Sequence, residues 1–169
     1  MSMTENSLYR ILENHPADSR VKICEDGVFQ TLSSRMGTGG GNVPMIEENA
    51  VVRRLTPMEC ERLQGYPDHW TDIGEWTDSK GKKHKDADSP RYKALGNSIA
   101  LPFWEWMAKR MVSHLDTEHP TMASLFDGIG GFPLVYSRAG CEPVWASEIE
   151  EFPIAVTKIR FPEAIHDTD

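Results

Sequence analysis

The sequence predicts an α/β fold whose last third opens a βαβ unit with parallel strands. Three observations carry that expectation. A short apolar run, Met122 to Phe126, leads into Gly128-Ile129-Gly130-Gly131, a helical stretch to Ala139 closed by Gly140, and a second run, Val144 to Ser147, that stops at Glu148. Upstream, Thr56-Pro57-Met58-Glu59 has the residues of a helix start. The two regions also differ in charge: 1–115 holds 15 Lys and Arg against 16 Asp and Glu, a net of −1, whereas 116–169 holds 3 against 10, a net of −7.

Taken in order, Leu8 to Leu12 reads as a short helix. Val21 to Ile23 and Val28 to Leu32 read as strands around a Glu25-Asp26-Gly27 hairpin turn. Gly37 to Asn42 is a glycine-dense loop, and Val43 to Ile46 a further strand. At Thr56 the hydroxyl can cap, Pro57 suits the first helical position and Glu59 completes a capping box; Gly65 ends that helix, with Pro67 beyond. Asp72 to Ser89 is charged and poor in apolar residues, a solvated loop holding the Lys80-Gly81-Lys82-Lys83-His84-Lys85 cluster. A second helix covers roughly Ser98 to Leu115, starting nearer 101 because of Pro102, with Ile99, Phe103, Trp106, Met107, Arg110 and Met111 on one face and the aromatics read as core. Residues 115–121 form a linker able to span roughly 23 Å at ~3.3 Å per residue. Glu150 to Arg160 reads as the last helix.

The chain has 169 residues, 39% apolar and 26% charged, which permits a packed core. No window reaches the ~18–20 apolar residues of a membrane span, and Met1 to Asn14 lacks the apolar region of a signal peptide. Three scattered cysteines, Cys24, Cys60 and Cys141, suggest neither a disulfide framework nor a zinc site, and the six histidines show no metal-ligand spacing. The expectation is a soluble protein of a reducing compartment, the cytoplasm.

The chemistry gathers at Phe126-Asp127-Gly128-Ile129-Gly130-Gly131. Glycines after a strand let the backbone turn sharply into a helix and approach a ligand. Glu148, 20 residues beyond Gly128 and at the tip of the next strand, can accept hydrogen bonds from both hydroxyls of a ribose. A tight turn with a solvent-facing glutamate is the plain alternative, and a dinucleotide-binding protein of another kind also accounts for this pattern alone.

Ser124-Leu125-Phe126-Asp127-Gly128-Ile129-Gly130-Gly131-Phe132, followed by Ala146-Ser147-Glu148-Ile149-Glu150, resembles the first two motifs of the DNA (cytosine-5) methyltransferases. Ser124 stands where that family often has aspartate. Arg53-Arg54-Leu55-Thr56-Pro57 through Gly65-Tyr66-Pro67-Asp68 is similar to the family's ninth motif, and Tyr92-Lys93-Ala94-Leu95-Gly96-Asn97-Ser98-Ile99 to its tenth. Thr31-Leu32-Ser33-Ser34-Arg35 with the following glycines resembles the close of the target-recognition domain. The resemblance implies a partial S-adenosylmethionine-dependent methyltransferase (Rossmann-like) fold with part of a small target-recognition domain. Residues 1–50 would belong to the recognition region, 51–114 to the ninth and tenth motifs, 115–121 to a linker and 122–169 to the start of the cofactor domain. It implies S-adenosylmethionine as cofactor, contacted by Phe126, Gly128, Gly130, Glu148 and Ile149, with Asn97 and Ser98 as a second wall. Read without the resemblance, Gly96-Asn97-Ser98 is a loop and an N-cap. Double-stranded DNA is the implied partner, with Arg53 and Arg54 as phosphate contacts; pairing of Arg53, Arg54 and Arg62 with Glu59, Glu61 or Asp68 is the alternative, favoured for Arg62.

Methylation of cytosine at carbon 5 needs a thiolate that adds at carbon 6. The family supplies it from Pro-Cys-Gln, assisted by the glutamate of Glu-Asn-Val; here no cysteine follows a proline. The ninth and tenth motifs also precede the first, the reverse of the family's usual order, as a circular permutation or a gene fusion would produce. The expectation is a fragment or subunit of a permuted enzyme, ending where the third strand would begin, without a catalytic residue of its own and dependent on a complementary catalytic half. A non-enzymatic remnant or regulatory partner of a methyltransferase is the alternative.

Overall fold

The computed structural model describes residues 9–15, 20–38 and 43–167. The N-terminal strands β1 (Tyr9–His15), β2 (Arg20–Cys24), β3 (Met45–Glu48) and β4 (Val51–Arg54) form an antiparallel sheet in the order β2-β1-β3-β4. Of the helix expected at Leu8 to Leu12, residues 9–12 are therefore strand, and Leu8 lies outside the described residues. β1 is a central strand with β2 and β3 on its two edges, and its adjacent residues Ile11 and Leu12, which point to opposite faces, are both buried. Burial on both faces removes the period-two signal by which a strand is read. The Glu25-Asp26-Gly27 turn exists, and Asp26 Oδ1 accepts from Val28 N at 3.1 Å, but Val28 to Leu32 is no strand. β2 pairs with β1 instead, and Val28 is exposed. The β3–β4 hairpin turns through Asn49 (φ 51°) and Ala50 (φ 62°). Two left-handed residues suit a tight hairpin, but Ala50 lacks the glycine that would have announced it. Of the glycine-dense loop, 39–42 lies outside the described residues, and Gly37 belongs to a 3-10 turn, Ser34–Thr38.

Helix α1 (Pro57–Gln64) forms as its capping residues dictate. Glu59 N donates to Thr56 Oγ1 at 3.2 Å, Thr56 N donates to Glu59 Oε2 at 2.8 Å, and Gly65 closes the helix at φ 85°. The segment expected to be a solvated loop instead carries a small antiparallel ribbon, β5 (Trp76–Thr77) with β6 (Lys83–His84). Helices α2 (Asp88–Asn97) and α3 (Leu101–Val112) follow. Ser98 ends α2 and does not cap α3. The inward face of α3 is Leu101, Trp104 and Ala108. Phe103, Trp106 and Met111, expected in the core, are 59%, 56% and 51% exposed. The correct stripe contains small Ala108, which the large apolar residues on the outer face outweighed in the sequence reading.

The C-terminal third is β7 (Thr121–Leu125), α4 (Gly131–Arg138), β8 (Glu142–Ser147), α5 (Glu151–Arg160) and β9 (Ile165–Asp167). The three strands are parallel in the order β7-β8-β9. A third strand is thus present, against the expectation that only two would be; three residues are too short a run to read from apolar pattern. Both crossovers advance the same way across the sheet, and with the right-handed sense such units take, α4 and α5 fall on the same face. Ser124 and Ala146, paired in register, are buried there, while Leu125 and Ile165 on the opposite face are 66% and 68% exposed. The whole is a partial Rossmann-like arrangement beside an antiparallel sheet.

One core joins the two parts. Leu95 and Leu101 from the upstream helices meet Ile129, Val135 and Val156 from the βαβ unit. Within the upstream part, α2 packs backbone to backbone at Gly96, where an added Cβ would lie 2.0 Å from the carbonyl carbon of Ser33. No side-chain rotation relieves a clash with backbone. Gly96→Ala is therefore expected to destabilise the fold by about 3 kcal/mol, the upper range for overpacking, read as a lowered urea midpoint.

Candidate cofactor site

At the end of β7 the chain turns at Phe126, which takes φ 53° and leaves its side chain 85% exposed. A left-handed conformation is unusual for a bulky residue and is found at sites where surrounding contacts impose it. Asp127 N donates to Ser147 O at 2.9 Å, tying the turn to the tip of β8. Gly128 (φ 58°) and Gly130 (φ 79°) complete it, and α4 begins.

Glu148 is the hub of this turn. Its Oε2 accepts from Gly128 N at 2.7 Å, and its Oε1 accepts from Ile149 N at 2.7 Å and Glu150 N at 3.0 Å. Three backbone donors thus fix the carboxylate, and of its roughly four acceptor positions one is left over. Beside it opens a cavity of about 760 Å³, bounded by Phe126, Gly128, Glu148 and Ile149 on one side and by Lys93 and Asn97 of α2 on another. That volume is in the range of small-molecule sites, roughly 300–1,000 Å³. Ile149 is 73% exposed, so the cavity offers two apolar side chains, Phe126 and Ile149, next to one fixed carboxylate. Lys93 Nζ pairs with Glu150 Oε2 at 2.8 Å and links α2 to the loop after β8.

The structure therefore brings Phe126, Gly128, Glu148, Ile149 and Asn97 to one cavity. Gly130 and Ser98 lie elsewhere. A Cβ at Gly130 would meet the Phe161 ring at 2.8 Å, so this glycine lets α4 pack against the end of α5. Ser98 Oγ shares a 2.5 Å hydrogen bond with Tyr66 Oη. Arg53 makes a two-pronged pair with Glu59 at 2.8 and 2.9 Å, and Arg62 one with Asp68 at 2.7 and 2.6 Å. Arg54, on β4, is exposed. Of the residues lining the cavity, sequence reasoning passed over Lys93, although it sits inside the 92–99 segment, and Trp76 and His84 of the ribbon, which a charged loop gave no reason to single out.

The thiols are poorly placed for nucleophilic work. Burial pushes Cys60 up to about 12, with the charges of Glu59 and Glu61 adding to it, and burial also raises Cys141. Cys24 lines a different cavity, beside β2.

Asp127 is buried directly under the glycine turn, and neither carboxylate oxygen makes a hydrogen bond. Burial pushes its pKa up from 3.8 to about 6; the nearby Ser124 hydroxyl tempers the shift without closing a well-formed bond, and the Glu148 charge adds to it. A raised carboxyl pKa means that stability is lost as pH rises from the unfolded value to the folded one, and the full cost remains above it. Asp127→Asn is thus expected to stabilise the protein by about 2–3 kcal/mol at pH 7.5 and by little at pH 3.5, measured by denaturant titration at both.

The chain matches the family model described as C-5 cytosine-specific DNA methylase over residues 4–113. It is similar to the DNA N-6-adenine-methyltransferase of Escherichia phage P1, 42% identical over 81 residues, covering 36% of this chain and 10% of that protein. It is also similar to the Type II methyltransferase M.Bsp6I of Bacillus sp. (strain RFL6), 30% identical over 99 residues, covering 59% of this chain and 26% of that protein. A further relative is the Type II methyltransferase M.SsoII of Shigella sonnei, 29% identical over 87 residues, covering 52% and 20%. The chain thus spans between a tenth and about a quarter of the length of these relatives.

Proposed function

The chain belongs to the C-5 cytosine-specific DNA methylase family, and from that premise we propose that it is the cofactor-holding part of a DNA (cytosine-5) methyltransferase. The observation that carries this reading is Glu148, fixed by three backbone N–H groups at the rim of a cavity flanked by Phe126 and Ile149. A fixed carboxylate suits ribose hydroxyls, and the two apolar side chains suit the faces of an adenine ring. Asn97 forms part of the second wall. Bound S-adenosylmethionine would supply a methyl group on a sulfonium centre.

Charge favours this ligand over a dinucleotide. Glu148, Glu150 and Glu151 line the cavity, and its one lysine is already paired with Glu150. A rim of carboxylates attracts a sulfonium and repels a pyrophosphate.

The nucleophile comes from a complementary catalytic portion, because no cysteine in the sequence follows a proline and burial holds the Cys60 thiol protonated. Among the described residues β7 pairs with β8 alone, and Leu125 and Ile165 stand exposed on the sheet's other face. Parallel sheets are covered on both faces, so a further strand along β7 and an apolar covering layer fit here. The complete enzyme acts on double-stranded DNA, taking the target cytosine out of the stack, with exposed Arg54 as a phosphate contact; Arg53, proposed from the resemblance as a second, is engaged by Glu59 and would have to release it. The lack of a usable thiol equally favours a non-catalytic remnant that keeps the cofactor site. Three free thiols fit the cytoplasm, and among the described residues no helix is long and apolar enough to cross a membrane.

Calorimetry tests the cofactor claim. The chain is expected to bind S-adenosylmethionine, and Glu148→Ala to weaken it at least about ten-fold, since a charge-assisted hydrogen bond contributes ~1.5–3 kcal/mol. No binding, alone or with a polypeptide carrying Pro-Cys-Gln, sinks it. On cytosine-containing duplex DNA the chain alone is expected to transfer no methyl group, and to do so once that polypeptide is supplied. Robust transfer by the chain alone overturns the account of the nucleophile, and no transfer from the mixture favours the remnant.

A further inference from the structure

Resting on the cofactor reading, we propose that the β5–β6 ribbon is a wall of the same pocket and that Trp76 and His84 touch the bound S-adenosyl ligand and set its affinity. The ribbon has two residues in each strand, far below the size that holds together alone. It is nevertheless braced from within and anchored at two points on α5. The Trp76 and His84 rings stack at 4.1 Å with an interplanar angle of 10°, and Trp76 meets Phe152 of α5 edge-on at 5.6 Å. The Asp78 carboxylate gathers the tip: it accepts from Lys80 N at 3.0 Å, from Lys82 N at 2.8 Å and from His84 Nε2 at 2.8 Å. Ser79 donates through its backbone N–H, at 2.9 Å, and its hydroxyl to the Glu151 carboxylate at the start of α5.

These contacts seat Trp76 against the core through Phe152 and hold one ladder of rings, Phe152, Trp76 and His84, at the edge of one cavity. All three side chains line the cavity that Phe126, Glu148 and Ile149 line from the turn. Glu148 and Ile149 follow β8, whereas Trp76 and His84 come from a segment some seventy residues earlier, so the wall is assembled by tertiary folding. A purine nucleoside with a cationic side chain is the chemical class this suits: flat apolar surfaces for the base, a carboxylate for the ribose and acidic groups around the sulfonium. Ribbon and turn then act as two jaws, and the ring ladder keeps the ribbon jaw closed.

The test is titration of the full chain with S-adenosylhomocysteine, followed by calorimetry and by tryptophan fluorescence. Trp76→Ala is expected to weaken binding about ten-fold, the loss of one aromatic contact worth ~1.4 kcal/mol, and His84→Ala by a smaller factor. Trp76→Phe keeps the ladder and is expected to keep most of the affinity while losing most of the ligand-induced fluorescence change. Unchanged affinity in Trp76→Ala, with binding weakened by Glu148→Ala, overturns the ribbon wall and leaves the cofactor reading standing. Should Trp76→Ala fail to fold, Trp76→Phe decides: a fluorescence change equal to that of the unmodified chain overturns the contact. No binding by the unmodified chain, with or without the catalytic portion, overturns both.

Discussion

The structure depends on one buried carboxylate. Glu61 is fully buried, and its Oε1 accepts from Thr71 N at 2.9 Å, from the Thr71 hydroxyl and from Arg91 Nη2 at 3.4 Å, while Arg91 Nε donates to Thr71 Oγ1 at 3.0 Å. An isolated buried charge is prohibitively costly, so these groups hold together or not at all. Together they clamp α1, the 65–71 segment and α2 into one unit. That segment carries Trp70, whose indole Nε1 donates to Ile129 O at 2.7 Å inside the glycine turn, and Tyr66, whose hydroxyl meets Ser98. Arg160, at the end of α5, donates to Trp70 O at 3.0 Å and to His69 O at 2.5 Å and lies over the Trp70 ring. The βαβ unit is thus positioned by a loop upstream of it, and that loop is positioned by Glu61.

This arrangement gives a physical meaning to the motif order. The ninth- and tenth-like segments come first in the chain and the glycine turn afterwards, yet they are packed on each other. Trp104 of α3 meets Phe132 of α4 at 4.9 Å, edge to face, and Arg138 of α4 pairs with Glu105 of α3. With α3 lying against α4, a connection from Val112 to Thr121 needs only a short loop, because the two helices are already neighbours. Connectivity can be rearranged at such a point with little loop-closure cost, which grows only as the logarithm of loop length.

What could be read in the sequence was whatever local chemistry encodes. The capping box at Thr56 and Glu59, the Gly65 stop, and the strand–turn–helix–strand succession through Glu148 all carry their structure within a few residues. The errors lie where tertiary contacts decide. The stretch around Ile11 and Leu12 reads as helix from its apolar residues, but pairing of β1 on both edges overrides that reading. The ribbon at 76–84 has almost no apolar content of its own, and it forms because Phe152 and Glu151, far along the chain, supply the surface it rests on. The same limit applies to the site. Glu148 and Phe126 announce themselves through glycine spacing, whereas Lys93, Trp76 and His84 reach the cavity only through the packing of α2 and the ribbon on α5.

The origin of the cavity's walls bears on how binding and catalysis divide. Among the described residues the cavity's walls are made from α2, Gly37 of the 3-10 turn, the ribbon, the glycine turn, the loop after β8 and the first turn of α5, tied by contacts such as Lys93 to Glu150 and Ser79 to Glu151. None of them uses the free edge of β7 or the open face marked by Leu125 and Ile165. A ligand bound here would therefore meet a preformed site, with its ordering cost largely met by folding itself. The surface that could receive more protein lies on the other side of the same strand, one residue from the turn: Leu125 faces outward, Phe126 flanks the cavity and Asp127 is buried beneath both. Three consecutive residues thus divide among docking surface, pocket and interior. Any movement of β7 on docking would be felt first at Phe126, whose backbone is already held in a conformation that its side chain disfavours.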